Sequence, residues 1–264
     1  MDGSYQNDFS KNNNNFLIYV ERMINMELIE TGIPGLDKML GGGLPKGRTI
    51  LVSGPAGAGK STFGLQFLYH GIVSAGESGI FVSFDEHPNH VRQECQNYGW
   101  NLKALEDQNL LVLVDGFSTR AGVSTVEKYK TPVDVDELLT MLIELTDETS
   151  AERIVIDSIT ALALSMQNEQ QIRREILKLS AVLSSLDCTT LLTSEMSHGE
   201  VSRFGVEEFM SQGVIVIGYS FINNIGVRHL AIRKMRGIKH EMIERPISIT
   251  SNGFFVHSDE QFYK

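Results

Sequence analysis

The octapeptide GPAGAGKS at residues 54–61 has the spacing G-x-x-x-x-G-K-S. Residues of these types at this spacing bind phosphate. Glycines let the backbone curl until successive N–H groups point at one anion. A helix that starts immediately afterwards adds the partial positive charge of its N-terminus. Gly54, Pro55, Ala56, Gly57, Ala58 and Gly59 are therefore expected to form the cradle. Lys60 would reach the outer phosphates, Ser61 would offer its hydroxyl to Mg²⁺, and Thr62 would border the inner phosphates.

A nucleotide held this way needs acidic groups near its metal and near an attacking water. RIVIDS places Asp157 at the end of an apolar run, where such a metal-binding acid sits. FVSFDEHP places Asp85 and Glu86 at the end of another. In an open α/β sheet, ligands bind at that edge. Adjacent residues of a strand point to opposite faces, so one carboxylate should dominate. Glu86 is the expected water-orienting residue, and Ser61, Asp157 and Glu86 are the candidate metal ligands. The plain alternative is a solvated acidic loop.

A second constellation is cationic. Five of the eight residues in RKMRGIKH, at 233–240, can carry positive charge, in a chain of formal net charge -10. Lys234 and Arg236 are two apart on an expected strand and share a face, with Arg233 and Met235 on the other. Fixed cations stabilise charge on a transferred phosphoryl group, and such a finger can act in trans. Lys and Arg also protect sheet edges, which is the bland reading.

The elements that must position these groups are legible as a pattern. RTILVSG, SGIFVSF, NLLVLVD, RIVIDS and TTLLTSE read as buried parallel strands. Between them, STFGLQFLYHGIVSAG, PNHVRQECQNYGW, DVDELLTMLIELTDET and EQQIRREILKLSAVLSSLD have helical spacing, with Gly76 and Gly99 as stops and Pro88 at a helix start. GVIVIGYS, VRHLAIRKMRG and RPISIT then read as strands with hairpin-like connections. The expected fold is α/β: a central, mostly parallel twisted sheet flanked by helices, with a β-rich C-terminal portion.

Residues 1–26 are expected to be disordered or an arm, 27–257 one domain, and 258–264 a tail. A start at Met23 or Met26 is an alternative reading of the extension. Two cysteines, Cys95 and Cys188, make no disulfide framework and suggest reduced thiols. No signal peptide or membrane-length apolar run is seen, so a cytoplasmic protein with no membrane insertion is expected. The acidic balance argues against non-specific nucleic-acid binding.

In order along the chain, GIPGLDKMLGGGLPKG, GPAGAGKST, FLYHGI, FVSFDEHP followed by YGW, RIVIDS, RFGVEEF and KMRGIKH resemble the circadian clock ATPase KaiC and its single-domain relatives, within the RecA-like P-loop ATPases. The resemblance runs from Glu27 to Phe255. It implies a RecA-like fold that binds ATP with Mg²⁺ and assembles into a homo-oligomeric ring, a hexamer, with ATP between subunits. It places Lys234 and Arg236 against the phosphates of the neighbour's ATP, with Met235 between them in the same segment and His240 close by. It also places Asn97 near the neighbouring nucleotide's binding face, and Thr250 and Ser251 beside base and ribose.

The family pattern has adjacent catalytic glutamates. Here Asp85 is one methylene shorter, which leaves Glu86 as the better candidate. Glu208 and Phe209 stand where the clock protein's second domain phosphorylates a Ser–Thr pair, which implies an ATPase without autophosphorylation. Ser202 and Ser211 keep an autokinase reading open, and a recombinase-like DNA-dependent ATPase on the same fold is the other alternative. In the segment at 194–212, Glu195, Glu200, Glu207 and Glu208 outweigh His198 and Arg203, which would repel a DNA backbone. A signalling protein as partner is the remaining expectation, along with a non-hydrolysing sensor role that the presence of Glu86 argues against.

Overall fold

The structure is a computed structural model that describes residues 26–131, 134–164, 166–196 and 200–262. The expected disorder or arm at the N-terminus, up to residue 25, lies outside the described residues, as does His198.

Among the described residues the main sheet has ten strands, in the order β12-β11-β10-β9-β3-β8-β7-β4-β5-β6. Strands β3 (Thr49–Gly54), β4 (Gly79–Ser83), β5 (Leu111–Asp115), β6 (Tyr129–Lys130), β7 (Arg153–Asp157) and β8 (Thr189–Glu195) are parallel, and β9 (Gly213–Ile222) joins β3 in parallel. β10 (Ile225–Met235), β11 (Arg245–Thr250) and β12 (Gly253–Val256) then continue the sheet antiparallel, hairpin by hairpin. A separate pair, β1 (Leu28–Ile29) and β2 (Leu44–Pro45), closes the N-terminal segment.

The inner strands are apolar throughout because both faces are covered. Their alternation sorts them into two cores. Ile50, Val52, Phe81 and Val155 pack on one face with Phe63 and Phe67 of helix α2 (Lys60–His70), α1 being Leu36–Met39. Leu51, Ile80, Val82, Ile154 and Ile156 pack on the other. There they meet Leu138 and Leu142 of α6 (Val135–Thr149) and Leu179 and Leu183 of α8 (Glu169–Leu183). Between α2 and α6 lie α3 (Pro88–Asn97), α4 (Leu102–Asp107) and α5 (Phe117–Ala121), and α7 (Ile159–Ala163) precedes α8. Helix α2 runs on as a π-helical turn, Gly71–Ala75, and stops at Gly76, whose φ is 74°.

The C-terminal residues, expected as a tail, fold back as far as they are described. Phe262 stacks on His229, with ring centroids 4.3 Å apart, and its N–H donates to the Glu244 carbonyl.

Candidate nucleotide site

The loop that leaves β3 enters α2 directly. Gly57 and Gly59 hold φ of 76° and 103°, a region that side chains strain to reach. A Cβ on Gly59 would also meet Ile249 Cδ1 at 2.5 Å. Ala58 faces the core, so it brings only backbone to the loop. Lys60 Nζ bends back to donate to the carbonyls of Gly54 (2.9 Å) and Pro55 (3.0 Å). Burial pushes its ammonium pKa down, while Asp157, Glu195 and Asp85 pull the other way.

Asp157 ends β7 and is 5% exposed. Its carboxylate accepts from the Thr193 hydroxyl of β8 and from Ser61. Burial pushes its pKa up, and those hydrogen bonds oppose the rise. Two oxygen donors of this kind, one buried and acidic, suit a hard divalent cation such as Mg²⁺.

β4 stops at Ser83, so the strand alternation invoked for Asp85 and Glu86 does not apply to them. They diverge because the chain bends: the Ser83 hydroxyl donates to the Glu86 carbonyl at 2.5 Å. Glu86 enters a cleft of about 540 Å³ that Gly57, Gly59, Lys60, Ser61, Thr62 and Asn97 also line. Asp85 does not line it; it lies 3.8 Å from Arg120. Burial pushes the Glu86 carboxyl pKa up, and the negative charges of Glu94 and Asp157 push it the same way.

Four further residues line the cleft that the sequence did not mark as site residues: Glu94, Tyr98, Arg228 and Ile249. Glu94 lies one helical turn before Asn97 on α3, and Tyr98 follows that helix. The spacing to Asn97 could have flagged them. Arg228 of β10 donates to the Gly57 carbonyl at 3.4 Å. It stands in VRHLAIRKMRG, but far from the cationic end. Arg92 anchors α3 from its other side, bonding Glu106 and Glu127 at 2.7–2.8 Å. Ile249 closes the far end of the cleft, and Thr250 and Ser251 follow it at the exposed β11–β12 turn.

The cationic segment is elsewhere. None of Lys234, Met235, Arg236 and His240 lines this cleft. The β9–β10 ladder slips at Arg233: Ile232 pairs with Ile215, but Lys234 pairs with Val214. This bulge resets the alternation, so Arg233 is not cleanly opposed to Lys234. Lys234 Nζ donates to the Glu208 carbonyl at 2.6 Å. Met235 is buried beside Ile50 and Gly213, so it offers no side chain to a ligand. Arg236 stands one residue beyond the strand, exposed, not on it as expected. Its N–H donates to the Gln212 carbonyl at 2.9 Å and carries the ladder one step further. His240 is half-buried, and its ring nitrogens meet no hydrogen-bond partner among the described residues.

Ser202 and Ser211 are both buried and hydrogen-bonded to Glu207, so neither hydroxyl is presented for phosphorylation. Glu207 itself is buried, which removes it from the acidic surface counted against DNA.

A family model described as KaiC ATPase matches residues 29–261. A UPF0273 protein of Methanocaldococcus jannaschii is 36% identical over 89% of this chain and 98% of its own length. The circadian clock oscillator protein KaiC of Acaryochloris marina is 36% identical over 87% of this chain, which spans 44% of that longer protein. The crystal structure of a KaiC-like protein from Pyrococcus horikoshii superposes with a TM-score of 0.79 at 36% identity, covering 88% of this chain and 100% of that one.

Proposed function

The chain belongs to the KaiC ATPase family, and from that premise we propose that it binds ATP with Mg²⁺ and hydrolyses it in a ring of like subunits, each nucleotide lying between neighbours. One observation carries the reading. Lys60, Ser61 and Glu86 share a cleft, whereas Lys234 and Arg236 are outside it. A cationic pair that does not line its own phosphate cleft is available to the cradle of the next subunit.

In this reading the loop N–H groups and Lys60 hold the phosphates, and Arg228 steadies the loop at Gly57. Ser61 and Asp157 would hold Mg²⁺, which would supply positive charge to offset that of the phosphates. Glu86 orients the attacking water and takes its proton. Lys234 and Arg236 meet the charge that develops on the γ-phosphoryl group next door. Asn97, Thr250 and Ser251 border the nucleotide, with His240 near the neighbour's. A regulatory role read by a protein partner fits an exposed ring of this kind. Among the described residues no helix is long and apolar enough to cross a membrane.

The test is complementation. Arg236→Ala subunits keep the cradle and lack the finger; Glu86→Gln subunits keep the finger and lack the water-orienting acid. Each alone is inactive in phosphate release, and their mixture regains activity. A mixture that stays inactive at all ratios, with both mutants present in one ring, overturns the trans arrangement. Release by the wild-type protein is unchanged by single-stranded DNA; strong stimulation would favour a recombinase-like activity instead.

A further inference from the structure

Glu207 is a buried carboxylate with no cation paired to it among the described residues. Such a charge is costly unless several donors hold it. It has them. The N–H groups of Phe204 and Val206 donate at 3.1–3.3 Å, the Ser194 hydroxyl stands within donating distance at 3.0 Å, and the Ser202 hydroxyl, 2.7 Å away, shares its one proton between this carboxylate and that of Glu208. Considerable local order is thus built around one acid that does not line the P-loop cleft.

Its neighbours show what it holds. Glu207 opens the short helix α9 (Glu207–Met210), and the next carbonyl along, that of Glu208, accepts Lys234 Nζ. The Ser202 hydroxyl also pairs with the Glu208 carboxylate. Two residues after α9, Gln212 accepts the Arg236 N–H at 2.9 Å and clasps Thr49 of β3 through both its backbone and its side chain. Both cationic residues are therefore seated on the segment that Glu207 pins. On the other side the same nest reaches the subunit's own cradle. Ser194 follows Thr193, which holds Asp157, and the Ser53 hydroxyl of β3 donates to the Val201 carbonyl.

We propose that Glu207 is a positioning residue for hydrolysis at the neighbouring subunit: its buried carboxylate fixes the Glu208 carbonyl and hence where Lys234 and Arg236 stand when they meet the next subunit's phosphates. The inference rests on the trans arrangement proposed above. A finger misplaced by an ångström or so can cost roughly 10²-fold in rate, so a lost charge in this nest is read as a rate effect on the site next door.

The experiment places Glu207→Gln in one partner of the complementing mixture at a time. The Glu86→Gln subunits donate the finger, and the Arg236→Ala subunits own the working cradle. Phosphate release from Mg-ATP falls about tenfold further when Glu207→Gln is in the finger donors than when it is in the cradle owners, with the Michaelis constant for ATP little altered. An equal fall in both arms, or a greater fall in the cradle owners, overturns the proposal: it would mean a general loss of fold or support for Asp157 within the same subunit. An inactive parent mixture without Glu207→Gln instead indicts the trans reading, so the two failures are distinguishable. If Glu207→Gln subunits do not fold by circular dichroism, Ser194→Ala in the same two arms removes one donor and leaves the acid; the same donor-arm bias is expected, and its absence overturns the proposal.

Discussion

The ammonium of Lys60 lies 2.9 Å from the carbonyl of Gly54, the residue that opens its own loop. A lysine so placed spans the mouth of the cradle, and no other lysine lines the cleft. Lys60→Ala is expected to weaken ATP binding by roughly 10- to 100-fold, the worth of a charged hydrogen bond or two, with the fold retained. Isothermal calorimetry with Mg-ATP measures it; unchanged affinity would contradict the cradle assignment.

Glu86 and Asp85 part at the end of β4, and only Glu86 enters the cleft. Glu86→Gln should keep ATP bound and lower kcat by ~10²-fold or more. Asp85→Asn should cost much less, since that carboxylate faces Arg120. Single-turnover phosphate release, run beside nucleotide binding, separates the two.

The pKa of Glu86 is raised by burial, and then by the charges of Glu94 and Asp157. A water-orienting base must be deprotonated, so activity falls as pH drops through that raised value. Removing the Glu94 charge favours the ionised form of Glu86 and lowers its pKa. Glu94→Gln should therefore shift the acid limb of the kcat–pH profile to lower pH. A shift upward, or none, would show that another group sets the limb.

Arg153 begins β7 buried, with Nε 2.5 Å from Glu77, Nη1 donating to the Phe67 carbonyl, and its guanidinium over the Phe67 ring. It sits at the strand's opposite end from Asp157, so it bears on stability and not on catalysis. Glu77→Ala leaves a buried cation without its partner and should cost on the order of 3 kcal/mol, read as a lowered urea midpoint. ATP turnover per folded protein should be unaffected.

The parallel half of the sheet was legible because buried strands and amphipathic helices differ in period, and all five of those apolar runs are strands here. The loop GPAGAGKS was legible because its chemistry is local. What escaped reading is what long-range packing decides. Glu94, Tyr98 and Arg228 meet the loop only through the crossing of helix and sheet. The bulge at Arg233 follows from the register with β9, which leaves no mark in an alternating basic segment. Glu207 looked like one acid among several on a surface loop, and only its ring of donors shows it to be internal. β12 was missed because Gly253–Val256 is too short to show alternation.

The order of strand lengths across the sheet has a consequence for how copies of this chain meet. The outermost strands are β6, with two residues, and β12, with four, whereas β9 and β10, with ten and eleven, lie inside the sheet and are flanked on both sides over part of their length, β9 by β3 at Gly213–Val216 and β10 by β11 at Arg228–Leu230. Short margins offer few unpaired backbone groups to a stray chain, so runaway strand addition and fibril growth have little template. Where copies of this chain meet, side chains and not edge backbone would make the contact.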